Sequence, residues 1–151
     1  MEIEIKKLVD KLTIGEHQYI IPLKILVTDY IKSFLFDPQV VKYSNVVFVF
    51  KAYPFFNRFL CDDIIVLKDF IINIANHCIA EFNRLPLGHI DRVNNFQAHR
   101  LRIVSTAGYI LGIQNYIKWT EFQLKVFISS NLRKDGSNLD LELRDSLSYL
   151  V

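Results

Sequence analysis

Residues 40–53 read VVKYSNVVFVFKAY, and whether this run is strand or helix decides the fold class. Its β-branched and aromatic residues suit a strand. They equally suit a helix buried on nearly all sides, because periodicity does not separate the two in a short apolar run. An isolated strand leaves its backbone donors and acceptors without partners. No second strand-like run occurs elsewhere in the chain to supply them. The stretch is therefore read as a helix, and the protein as all-α.

The flanking sequence agrees. Asp37 and Pro38 precede the run, an aspartate suited to capping and a proline suited to opening a helix. Pro54 follows it, and FFNRFL (55–60) is read as a short helix. Further upstream, PLKILVTDYIKSFLF (22–36) carries Leu23, Leu26, Val27, Tyr30, Ile31 and Phe34 at three-to-four spacing, one face inward, with Pro22 in the first turn. Downstream, IIVLKDFIINIANHCIAEFN (64–83) repeats Ile64, Leu67, Phe70, Ile71, Ile74, Cys78 and Phe82 at helical intervals. Asp62 and Asp63 are its cap candidates, and Leu85-Pro86-Leu87-Gly88 its expected end.

A long helix is expected over residues 91–117. Its centre, LRIVSTAGYILGI (101–113), is apolar and carries the small residues Ser105, Ala107, Gly108 and Gly112. Each glycine costs a helix about 1 kcal/mol against alanine, so a helix that keeps them is expected at the centre of the packing. TEFQLKVFISSNL (120–132) reads as a further helix, Lys134-Asp135-Gly136 as a turn, and residues 139–150 as a last helix capped by Asn138. The expectation is one globular domain over residues 1–151, a bundle of seven to eight helices around a central hydrophobic one.

Composition supports a folded chain and narrows its chemistry. Hydrophobic residues make up 51% and aromatics 13%, with 12 Phe and 7 Tyr, against the depletion that marks disorder. A formal net charge of +2 is too small to indicate a nucleic-acid or membrane partner by itself. Cys61 and Cys78 form no paired-cysteine motif, which suits a reducing compartment. MEIEIKKLVDKL at the N-terminus alternates charged with apolar residues and has no secretory core. The longest apolar runs, 46–56 and 101–113, contain Lys51 or Arg102 and fall short of the roughly 18 residues of a membrane span.

Catalytic candidates are sparse. His17, His77, His89 and His99 are isolated, with no pair at metal-ligand spacing on one helix face. His77 and Cys78 are adjacent, but neighbouring helix positions diverge by about 100°, so Cys78 is read as core and His77 as its edge. Asp62 and Asp63 are capping residues before they are metal ligands. No phosphate loop, nucleophile elbow or zinc pattern occurs. No enzymatic activity, cofactor or metal is expected. Residues 92–120 hold no acid while Arg92, Arg100, Arg102 and Lys118 are basic. Phe96, Tyr109, Tyr116 and Trp119 fall in the same span, so single-strand nucleic-acid binding is one reading. Core packing with a solvated basic end is the favoured one.

Arg102-Ile103-Val104, opening a hydrophobic helix with small residues, resembles the first homology region of the Bcl-2 apoptosis-regulator family, which typically reads Asn-Trp-Gly-Arg-Ile-Val at the start of its central helix. About 30 residues later, Lys134-Asp135-Gly136-Ser137-Asn138-Leu139-Asp140-Leu141-Glu142-Leu143 is similar to the second homology region, a turn followed by an apolar, acidic helix. In outline the likeness covers residues 22–150, with about 15 residues matching at the level of motifs. Leu101 stands where the family has glycine, and His99-Arg100 replace Asn-Trp. The divergence is of the kind seen in virus-encoded members.

The resemblance implies an apoptosis inhibitor that captures the amphipathic BH3 helix of pro-death proteins in an apolar groove. It implies that Arg102 pairs with an aspartate of that helix. By helix order the groove would draw on Phe50, Tyr53, Phe56 and Phe59, with Phe70 and Ile74 opposite; each is also an ordinary core candidate. A host-cell cytosolic location, with mitochondrial association open, goes with it. The alternative is a helical oligomeric adaptor or structural protein, with residues 46–59 as the interface of a homodimer.

Overall fold

The computed structural model describes residues 1–84 and 95–133, with the side chains of 97–126 in the second stretch. The described residues form seven α-helices and two single-turn 3₁₀ helices, without a strand among them. The helices are α1 (Glu2–Thr13), α2 (Ile20–Phe36), α3 (Val46–Phe50), α4 (Tyr53–Phe59), α5 (Ile64–Asn83), α6 (Asn95–Leu111) and α7 (Gln114–Arg133). The stretch 40–53 that decides the fold class is without strand but forms a shorter helix than expected, α3 at Val46–Phe50, in which Val46, Val47, Val49 and Phe50 are buried; residues 41–45 are coil and turn. The expected helix end at 85–88, the turn at 134–136 and the last helix at 139–150 lie outside the described residues.

Two compact units divide the chain within α5, Met1–Ile71 and Ile72–Val151. In the first, α1 packs on α2 and α3 through Ile5, Val9 and Leu12, one face of a 3.6-residue period. Acidic Glu2 and Glu4 stand in its first turn and Lys11 in its last, each at the favourable end of the helix dipole. Gly15 at φ +94 ends α1: its N–H donates to the Leu12 carbonyl and the next N–H, of Glu16, reaches back to Lys11. That pair of bonds satisfies carbonyls the helix end leaves open, in a left-handed turn that favours glycine. Phe70 is the hub of the unit's aromatic core. Tyr30, Phe34 and Phe50 meet it edge to face at 5.7, 5.1 and 6.3 Å between ring centroids, the arrangement the ring quadrupole favours.

Asp37 caps as expected, its Oδ1 accepting from the Gln39 N–H at 3.1 Å. It opens a single 3₁₀ turn, Pro38–Val40, rather than the next α-helix, which starts at Val46. Pro54 sits in the first turn of α4, where no intrahelical donor is lost.

In the second unit, the expected single helix over 91–117 is corrected by a break. Gly112 adopts φ +68, and the Ile113 N–H donates to the Gly108 carbonyl at 2.9 Å, closing α6 in the manner of Gly15. Residues 114–117 belong to α7. Gly108, by contrast, stays inside α6 and lets α7 approach: a Cβ there would stand 2.9 Å from Ile117 Cγ1, 3.1 Å from Tyr116 Cβ and 3.2 Å from the Ile117 backbone nitrogen. Phe82, Ala98, Leu101 and Leu124 form the core of this unit, with Trp119 packed against them.

Candidate functional site

The chemistry-bearing residues of the second unit are set by α6. Leu101 is buried, as is every residue from Ile103 to Gly108. At about 100° per residue, six consecutive buried positions cover the whole circumference. Among the described elements, the main packing partner of this buried segment is α7. Arg102 is the exception within this run, half-buried between Leu101 and Ile103. Its carbonyl accepts from Ser105 Oγ at 3.1 Å and Thr106 Oγ1 at 2.7 Å. Those two hydroxyls thereby lie in apolar packing without an unmet bond.

Two residues earlier, Arg100 donates to Gln97 Oε1 at 2.6 Å. Gln97 is itself buried, so this charge-assisted bond holds an amide inside the protein. Burial pushes the Cys78 thiol up to about 12, with Arg100 opposing and Glu81 adding to the effect. At neutral pH Cys78 is a protonated core residue and not a nucleophile, while His77 is exposed. The reading of core and edge stands. Among the described residues no three of His, Cys, Asp and Glu come together as a metal-binding group.

Two aromatic residues of the acid-free stretch, Tyr116 and Trp119, are engaged in packing. Tyr116 is buried and its hydroxyl donates to Asn76 Oδ1 at 2.6 Å, tying α7 to α5. Trp119 meets Phe82 edge to face at 5.2 Å. Tyr109 is exposed; the side chain of Phe96 and the whole of Arg92 lie outside the described residues. A base-stacking platform needs free ring faces in series, and Tyr116 and Trp119 do not offer them.

The six apolar residues expected to line a groove separate into two groups. Phe50, Phe56, Phe70 and Ile74 are buried, at most 4% exposed, and Phe50 and Phe70 meet edge to face in the first unit's aromatic core. Tyr53 is half-buried, and Phe59 is 39% exposed with His17 at its edge and Arg58 over its face. Within residues 46–59, Val46, Val47, Val49, Phe50, Ala52 and Phe56 are buried, while Lys51, Pro54, Asn57, Arg58 and Phe59 are exposed.

Large exposed apolar side chains lie instead on α2 and at the start of α5. Ile21, Ile25, Leu35 and Phe36 on α2 and Ile65 and Val66 on α5 are each more than half exposed. Sequence reasoning singled out the inward residues of α2 and passed over these. The signal was present, since IIPLKILVTDYIKSFLF has apolar residues in every phase of the helical period. Lys24 Nζ and Asp63 Oδ2, 3.3 Å apart, bind the first half of α2 to the residue preceding α5. No helix of the described residues is long and apolar enough to cross a membrane. Comparison with family models, with curated proteins and with solved structures returns no match to this chain.

Proposed function

We propose that this chain is a Bcl-2-like apoptosis inhibitor, of the virus-encoded kind, that sequesters the BH3 helices of pro-death proteins in the host-cell cytosol. It acts by binding and not by catalysis. The observation that supports this most is α6. The segment that resembles the family's first homology region, Arg102-Ile103-Val104, lies midway along α6 and leads into its buried stretch 103–108, and Arg102 alone in the run 101–108 keeps partial exposure. The family reading asks for a buried helix that carries an arginine, and Arg102 stands half-buried on such a helix. Close approach of α7 at Gly108 supports the reading of α6 and α7 as a hairpin packed through small residues.

On this reading Arg102 pairs with an aspartate of the captured helix. A partly desolvated, charge-assisted bond of this kind is worth more than the 0.2–1 kcal/mol or so of an exposed pair. Tyr53 and Phe59 are the apolar contacts that need no repacking. Phe50, Phe56, Phe70 and Ile74 support from the core and contribute contact area only where binding moves the residues above them.

The test is a fluorescence-anisotropy titration of the purified chain with a panel of BH3 peptides. Binding tighter than about 10 μM, roughly 7 kcal/mol, is expected for at least one peptide, with Arg102→Ala weakening it while the helical circular dichroism is unchanged. Absence of binding to every peptide at that concentration overturns the proposal. The second reading, a helical oligomeric adaptor, is favoured by a separate observation, the exposed apolar residues of α2.

A further inference from the structure

α2 is apolar on two opposite faces. Leu23, Val27, Tyr30 and Ile31 are buried and hold it in the first unit. On the other side, at intervals of three and four residues, stand Ile21, Ile25, Thr28, Lys32 and the pair Leu35-Phe36. Ile21 and Ile25 are 54% and 55% exposed, Leu35 71% and Phe36 93%. The outer face thus carries two exposed apolar clusters, Ile21 with Ile25 and Leu35 with Phe36, on either side of a polar middle, and exposed large apolar side chains grouped with polar ones mark an interaction surface.

The order of residues along this stripe identifies what covers it. Asp29 and Lys32 are both exposed near its middle, with Ile25 one turn before Asp29 and Phe36 one turn after Lys32. A two-fold axis crossing α2 midway between residues 30 and 31 has Asp29 and Lys32 equally distant on its two sides, and likewise Ile25 and Phe36. An antiparallel second copy of α2 therefore sets Asp29 against Lys32 of the other copy, twice, and Ile25 against Phe36 of the other copy, twice. The face is complementary to itself, as an isologous contact requires. A parallel pairing lacks this match, because it sets Asp29 against Asp29 and Lys32 against Lys32.

We infer that the outer face of α2 is a self-association surface, through which two copies of the chain form a two-fold dimer with antiparallel α2 helices. The four apolar side chains supply on the order of 60–120 Å² each. That is about half of the roughly 800 Å² per partner of a standard interface, so the dimer is weak, in the micromolar range, and is tuned by its charges. This inference does not rest on capture of a BH3 helix, and Arg102, Tyr53 and Phe59 take no part in it.

Sedimentation velocity of the full chain from about 5 to 500 μM brackets a dissociation constant of this size. The expected result is a monomer–dimer transition within that range. Asp29→Lys and Lys32→Asp, each alone, face like charges across the axis and are expected to weaken the dimer at least tenfold at low salt. The double substitution Asp29→Lys with Lys32→Asp restores the pairing and is expected to recover most of the loss. Phe36→Asp abolishes the transition, and because Phe36 is almost fully exposed the monomer keeps its helical circular dichroism. A chain that remains monomeric at about 500 μM overturns the inference. So does a dimer indifferent to Phe36→Asp, or one that the charge exchange fails to rescue.

Discussion

α2 and α6 begin from nearly the same sequence logic and end in opposite environments. Each is a 17-residue helix with apolar residues in every phase of its period. α6 fills the positions from Ile103 to Gly108 with two branched residues and then Ser, Thr, Ala and Gly, and is enclosed on all sides. Its small residues let a neighbour approach to van der Waals distance, most closely at Gly108. α2 has no small apolar residue. Ile21, Ile25, Leu35 and Phe36 are exposed on one side, while Leu23, Val27, Tyr30 and Ile31 are buried on the other. Residue size, and not total hydrophobicity, separates the helix that is a core from the helix that is half core and half surface.

The largest expected effect contrasts these two helices directly. Leu101→Ala removes a fully buried side chain from the cluster with Phe82, Ala98 and Leu124 and is expected to cost about 2–5 kcal/mol in urea-monitored unfolding. Ile25→Ala on the outer face of α2 is expected to stay within about 0.5 kcal/mol under dilute, monomeric conditions. Equal costs at the two sites would erase the distinction.

Glycine substitutions sharpen it. Gly108→Ala meets the Ile117 backbone nitrogen at 3.2 Å and Tyr116 Cβ at 3.1 Å, which a rotamer change cannot relieve. A loss of about 1–3 kcal/mol from overpacking is expected, against a helix-propensity gain of about 1 kcal/mol. Gly112→Ala has open space around its Cβ but must hold φ +68, and a cost of about 1–2 kcal/mol follows from backbone strain alone. Thermal unfolding of the two variants, with Gly108→Ala also losing near-ultraviolet dichroism from Tyr116 and Trp119, separates packing from strain. Tyr116→Phe deletes the 2.6 Å bond to Asn76 and is expected to cost about 1 kcal/mol.

The smallest effect is a pH dependence in the first unit. Burial of Glu2 raises its carboxyl above the usual 4.5, against the pull of the amino terminus and Lys42, and Tyr30 beside it is raised too, by burial first and by Glu2 second. A folded-state value above the unfolded one means the folded state binds the proton more tightly. The stabilising contribution is complete below 4.5 and is lost as pH rises through the elevated value. Glu2→Gln is therefore expected to be more stable than the native chain at pH 7 and to converge on it as the solution is acidified, in paired denaturation series across that interval.

Much of this architecture is legible in the sequence, for reasons tied to particular residues. The 64–83 helix was readable because Leu67, Phe70, Ile71, Ile74, Cys78 and Phe82 keep one phase over more than four turns, and all six are buried. The 46–50 helix was readable by elimination, since a lone strand has nowhere to place its hydrogen bonds. Gly112 was not, because an interior glycine and a terminating glycine look alike until φ is known. α1 carried its signal in Ile5, Val9 and Leu12 beneath a pattern of alternating charges. Which groove candidates stay open was not legible at all: Phe50, Phe56 and Phe59 are the same residue type in one short span, and only tertiary packing buries the first two and exposes the third. The exposed face of α2 escaped for the same reason, since sequence marks a residue as apolar without saying on which side the neighbours lie.

Everything proposed for Arg102 depends on α6 being interior around its whole circumference. Native-state hydrogen exchange at low denaturant measures this residue by residue. The amides of 103–108 are expected to exchange only through global unfolding, with the full stability of the chain and the full denaturant dependence. Exchange of those amides through a lower-energy opening with a weak denaturant dependence would contradict it, and would place α6 at the edge of the packing instead.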